Sequence, residues 1–151
     1  MTDDEQPEEG AVAFFTKDHR ACDARWAAVE AAVAGHDTAA AAAAWKEFDR
    51  LMRRHFEMEE QVLFPAFEHA TGMTAGPTMV MRMEHQQMRG LLGQMGGSAT
   101  SGDWEAVVDQ GDTLLMLIQQ HNAKEEAIVY PMADQHLAAT WGDVASRLRK
   151  F

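Results

Sequence analysis

Six residues of this 151-residue chain have the types and spacing to hold metal ions. His55 and Glu59 lie four apart, as do His121 and Glu125, so on a helix each pair shares one side, a turn apart, and both members can reach one centre. His19 and His85 complete the set. The segment HFEMEEQVLFP, His55 to Pro65, returns 66 residues later as HNAKEEAIVYP, His121 to Pro131; both read H-x-x-x-E-E-x-x-apolar-aromatic-P. The same displacement carries His19 onto His85 and its neighbour Asp18 onto Glu84. With seven His in the chain, two His coincidences at one displacement, joined by the Glu and Pro matches, mark an internal repeat. The chain reads as two copies of one helical hairpin.

Helices must aim these side chains, and the composition supplies them. Pro is scarce inside the body, Val and Ile are few, and Ala, Met, Leu, Glu and Gln are plentiful. The first apolar stripe is Val12, Phe15, His19, Cys22, Trp26, Val29 and Val33, in steps of three and four, closed by Gly35. After a turn at His36, with Asp37 or Thr38 as N-cap, the second reads Trp45, Phe48, Met52, His55, Glu59, Val62, until Pro65 ends or kinks it. A loop from Thr71 to Pro77 precedes Met81, His85, Met88, Leu92, Met95, which Gly96-Gly97 closes. Beyond Ser98 to Asp103 the fourth stripe is Trp104, Val107, Gly111, Leu114, Ile118, His121, Glu125, Ile128, halting near Pro131. A short helix begins at Thr140, where Thr140 and Asp143 have capping-box spacing. Narrow stripes can be buried only against one another, so the fold expected is all-α: an antiparallel up-down four-helix bundle with a short extra C-terminal helix.

The six polar groups interrupt stripes that must face the core. Each would cost roughly 1–3 kcal/mol there without a partner, and more if charged. They therefore need a common partner. Four imidazoles and two carboxylates exceed what one ion takes and suit two, each ion taking one imidazole from each helix of a hairpin while Glu59 and Glu125 bridge. Nitrogen and oxygen ligation without sulfur favours iron or manganese, with zinc also compatible. Cys22 is the lone Cys, so an intrachain disulfide and a CxxC zinc site are both excluded, in keeping with a reducing cytoplasm.

The other notable residues have plainer readings. Asp18, Glu60, Glu84 and Glu126 are assigned to solvated faces, the second Glu of each E-E pair, Glu60 and Glu126, pointing about 100° away from the proposed ligands. Asp23, a turn after His19, is taken as solvated or salt-bridged in preference to an acceptor for a ligand imidazole. His36, His69 and His136 have no repeat partners and are placed on the surface. Cys22, Met52, Met81, Met88 and Met95 are core filler. Lys and Arg number 13 against 24 Asp and Glu, a net charge of -11, which argues against nucleic acid and anionic membrane as partners. Five of the acids lie in the first nine residues, so residues 1–10 are expected to form a disordered acidic tail, neither signal nor transit peptide, before a single domain over 11–151. No apolar run is long enough to span a membrane. The E-x-x-H, HExxH, G-x-S-x-G and phosphate-loop patterns are absent.

The doubled H-x-x-x-E-E…[FY]-P resembles the hemerythrin-like, HHE cation-binding family over about residues 12 to 131. The resemblance implies a four-helix bundle around a non-heme di-iron centre, with ligands at His19, His55, Glu59, His85, His121 and Glu125. Oxygen-carrying hemerythrins place a fifth His one turn from the third-helix His, where this chain has Met81 and Arg89, and they usually end on Asp where this chain has Glu125. Fewer imidazoles leave open positions, which suits binding or reducing O2, nitric oxide or peroxide more than reversible O2 storage. The ligand set is similar to that of the repair-of-iron-centres branch, whose proteins also carry a Cys-containing N-terminal module that this sequence does not have. Three roles follow: a sensor or binder acting through a partner, an enzyme fed by a separate electron-donor protein, or an iron store or donor.

Overall fold

A computed structural model describes residues 10–151, so the acidic leader, Gly10 apart, lies outside the described residues. Helix α1 spans Ala11–Ala34 and ends at Gly35. Its first N–H groups are capped from afar, with the Asp134 carboxylate accepting from Ala11 and Val12. Helix α2 spans Thr38–Met58, and its N-cap Asp37 accepts from the Ala40 N–H. Helices α3 (Phe64–Thr71), α4 (Pro77–Thr100), α5 (Trp104–Lys124), α6 (Tyr130–Leu137) and α7 (Trp141–Leu148) follow. Among the described residues there is no strand. No helix among them is long and apolar enough to cross a membrane. The short loops make α1 and α2 one antiparallel hairpin and α4 and α5 a second. α7 packs across the end of the bundle.

Several boundaries differ from the sequence reading. Pro65 and Pro131 end nothing. A π turn over Glu59–Leu63 joins α2 to α3, and another over Glu125–Val129 joins α5 to α6, each Pro sitting in the first turn of the helix beyond. Pro lacks an N–H and its ring crowds the carbonyl four residues back, and a turn widened by one residue accommodates both. Gly96-Gly97 does not close α4 either, which runs on to Thr100 and stops before Gly102, whose φ of 72° gives the left-handed residue that ends helices. Thr140 precedes α7, but its side chain makes no cap, so the capping box is not formed.

The stripes are buried apart from Val33 and Trp104, which are half-buried, and Val12 and Ile128, which are exposed. Val12 is exposed because the buried face of α1 starts at Ala11, against Tyr130 and Ala133 in the same cluster. Ile128 is 52% exposed although its counterpart Val62 is buried. α7 lies over the first π turn, where Trp141, Val144 and Leu148 share a cluster with Val62, and the second π turn has no such cover. The core has two parts. One is built on Phe15, Leu63, Phe64, Phe67, Met81, Tyr130 and α7, the other on Cys22, Trp26, Phe48, Met52, Met88, Leu92, Met95 and Leu114. The polar residues of the stripes fall between them.

Candidate metal centre

All six sequence-selected residues meet in that gap, and none is more than 3% exposed. The repeat explains the placement, because equivalent turns of the two hairpins face each other across the bundle. His19 and His55 form one imidazole pair, ring centroids 4.7 Å apart, and His85 and His121 the other, at 4.9 Å. Every Nε2 points inward. Glu125 Oε1 is 3.1 Å from His19 Nε2 and 3.2 Å from His121 Nε2, while Glu59 Oε1 is 3.1 Å from His55 Nε2 and 3.2 Å from His85 Nε2. Each carboxylate thus touches an imidazole of both pairs. Two groups of ligand atoms lie within 4.8 Å of one another: Glu59, His85, His121 and Glu125 form one, and His19, His55 and Glu125 the other.

The chemistry of the donor set fits metal ions. Glu59 Oε1, Glu125 Oε2, His85 Nε2 and His121 Nε2 are buried without a hydrogen-bond partner, despite the short approaches between them. Lone pairs so placed cost free energy unless a cation meets them. Their own carboxylates already favour positive charge here. Burial alone would lower the proton affinity of His55, but Glu59, Asp18 and Glu125 outweigh it and hold the pKa well above the ordinary His value. His121 is raised in the same way by Glu125, Glu59 and Glu84, again against burial. Burial would raise Glu125, yet Glu59, His121 and His19 around it keep it well below the usual carboxylate range.

A second ring of carboxylates corrects the sequence reading. Asp18, Glu60, Glu84 and Glu126 were assigned to solvated faces, and each instead meets the outer nitrogen of an imidazole. Asp18 lies 2.7 Å from His55 Nδ1 and Glu84 2.9 Å from His121 Nδ1, both within a hairpin. Glu60 lies 2.6 Å from His85 Nδ1 and Glu126 2.9 Å from His19 Nδ1, both between hairpins. The pattern keeps the displacement of 66. An isolated helix puts these acids off the core face, but the ring edge of a neighbouring helix extends to them. An Nδ1–H donated to a carboxylate leaves Nε2 with its lone pair free, which fixes the tautomer a metal needs. Each acid is paired outside with a cation: Arg54 with Asp18, Arg89 with Glu60, Lys124 with Glu84 and Arg20 with Glu126. Although burial pushes the Glu60 carboxyl up, His85 and Arg89 bring it down to about 2.

Tyr130 is the residue whose role the sequence reading left unassigned. Its hydroxyl reaches Glu59 Oε2 at 2.8 Å and Glu125 Oε1 at 2.9 Å. On a straight α-helix a residue five along points about 140° from Glu125. The π turn brings it back over the same face. The signal was the aromatic before Pro in both repeats, Phe64 and Tyr130, of which only the second carries oxygen. Asp23 is half-exposed beside Arg20 with no hydrogen bond to an imidazole among the described residues, and Met81 is core. Cys22 is buried, and burial pushes its thiol up to about 11, as suits an unreactive packing residue. His36, His69 and His136 are exposed. A void of about 10 Å³ beside the imidazoles, lined in part by Cys22, Met52, Met88 and Ile118, is at the lower limit for one water.

The family model for the Hemerythrin HHE cation binding domain matches residues 10–133 of the chain. No curated protein and no solved structure matches it.

Proposed function

The chain belongs to the hemerythrin HHE cation-binding domain family, and from that premise we propose that it is a non-heme di-iron protein that binds or reacts with O2, nitric oxide or peroxide. The observation that carries this reading is the sharing of Glu125 by two groups of buried ligand atoms. His19 and His55 would hold one ion, His85 and His121 the other, with Glu59 and Glu125 between them. When bound, two ferrous ions would supply electrons and coordination positions for a small oxidant. Everything else is the work of the chain. Phe56 and Phe64 stack on His85 and Phe15 packs edge-on to His55, keeping bulk water from the donors. The four outer carboxylates hold the imidazoles in place. The void on the Cys22 side, no larger than one water, leaves no room for a substrate of more than a few atoms.

Iron donation is supported less, because release would have to strip ligands that are fully buried and braced from outside. Turnover as a reductase would draw electrons from a separate donor protein. A single buried thiol accords with a cytoplasmic setting. The test is to purify the protein anaerobically under iron-replete conditions, count metal, and follow the optical spectrum while O2, hydrogen peroxide and nitric oxide are added separately. Two irons per chain and a spectral response to at least one reagent are expected. Fewer than about one metal per chain would sink the proposal. Catalytic consumption of a reagent would mark an enzyme, and a stable adduct a binder or sensor.

A further inference from the structure

We propose that Tyr130 is a seventh metal ligand, its phenolic oxygen adding a donor to the His19–His55 half of the centre. This rests on the di-iron reading above. With Glu59 and Glu125 shared, each half would have two imidazoles and two carboxylates, which leaves an iron ion positions to fill. The Tyr130 oxygen stands at the His19–His55 half: 3.1 Å from His19 Nε2, 3.5 Å from His55 Nε2 and 2.9 Å from Glu125 Oε1. Donor atoms about 2.1 Å from an ion sit about 3.0 Å apart at right angles and about 3.4 Å apart in a tetrahedron, so these spacings are those of atoms sharing one ion. The hydrogen-bond alternative is oversubscribed. One hydroxyl hydrogen faces two imidazole nitrogens and, with Glu59 Oε2 at 2.8 Å, two carboxylate oxygens.

The other half of the centre has no equivalent. The position 66 residues earlier is Phe64, whose ring stacks on His85 and offers no donor. The two ions would therefore have unlike surroundings, phenolic oxygen on one side and an aromatic face on the other. When Tyr130 ligates a ferric ion, its O–H bond breaks, the oxygen bonds to iron, and the proton is released to solvent.

Tyr130 is the only Tyr in the chain, so any tyrosine signal from the centre belongs to it. The protein is loaded anaerobically with ferrous iron, the iron counted, and the sample oxidised for visible absorption and resonance Raman spectroscopy. A phenolate-to-ferric charge-transfer band is expected, with enhanced ring vibrations that shift when the protein is grown on ring-deuterated tyrosine, and Tyr130→Phe loses both. The labelled wild-type protein carries the test even where the variant folds poorly. Two irons per chain with no enhanced tyrosine vibration would overturn ligation by Tyr130 and leave the di-iron reading standing. Failure to retain iron at all would overturn both.

Discussion

At the scale of single residues, the centre divides into inner groups that the sequence pointed to and outer ones that it did not. The inner six follow from one displacement and from helical spacing, both readable along a single chain. The outer acids depend on which helix lies alongside, which periodicity within one helix cannot show. Glu125 is shared by both donor groups, so Glu125→Ala is expected to lower bound metal from two ions to at most one and abolish the binuclear spectrum; an unchanged spectrum contradicts its bridging role. Glu60 tests the outer ring. It accepts from both Arg89 nitrogens at 2.7 and 2.9 Å and meets His85, and its carboxyl is held at about 2 against an ordinary 4.5. A depressed carboxyl stabilises the fold fully above the unfolded value and loses that contribution as pH falls toward the folded one. Glu60→Gln is expected to cost about 2 kcal/mol at neutral pH. In urea melts with a chelator present, the gap from the parent should shrink as pH drops from 4.5 toward 2.

The π turns and a single close contact decide the geometry at the scale of helices. The existence of four main helices and the short last one was legible from stripes. Their continuation past Pro65 and Pro131 was not, because Pro in an ordinary α turn does end a helix, and only a widened turn lets it stay. That widening delivers Tyr130 to the centre, which is why spacing rules for an ideal helix missed it. Gly111 shows how closely α1 and α5 approach. A Cβ at this position would overlap the ring of Trp26, itself buried and packed on Phe48. Alanine would gain about 1 kcal/mol of helix propensity, but overpacking a buried ring costs about 1–3 kcal/mol. Gly111→Ala is expected to lose up to about 2 kcal/mol of stability in urea unfolding while iron content stays at the parent level. A stabilised variant would show that α1 and α5 can separate freely.

For the molecule as a whole, protons and metal would compete, under the proposed assignment, for the same buried lone pairs. His55 and His121 hold protons above the ordinary 6.5 because of the carboxylates around them. Metal binding at pH 7 is therefore expected to release protons, and affinity to fall as the pH is lowered. Titration calorimetry in two buffers of different ionisation enthalpy measures that release, and a buffer-independent heat contradicts it. In the chelated protein the sign is opposite: the raised imidazoles stabilise the fold fully below about 6.5 and lose their contribution as pH rises through their folded values. The widened turns also record the history of the fold. Both hairpins carry the extra residue at the same register, starting at Glu59 and Glu125. One insertion before duplication accounts for both, where separate insertions would have had to choose the same turn twice. A single ancestral hairpin, paired with its twin as a twofold dimer, would have brought the same four imidazoles and two inner acids together. Fusion into one chain then freed the halves to diverge, and the hydroxyl that separates Tyr130 from Phe64 is a difference that a symmetric dimer could not have held.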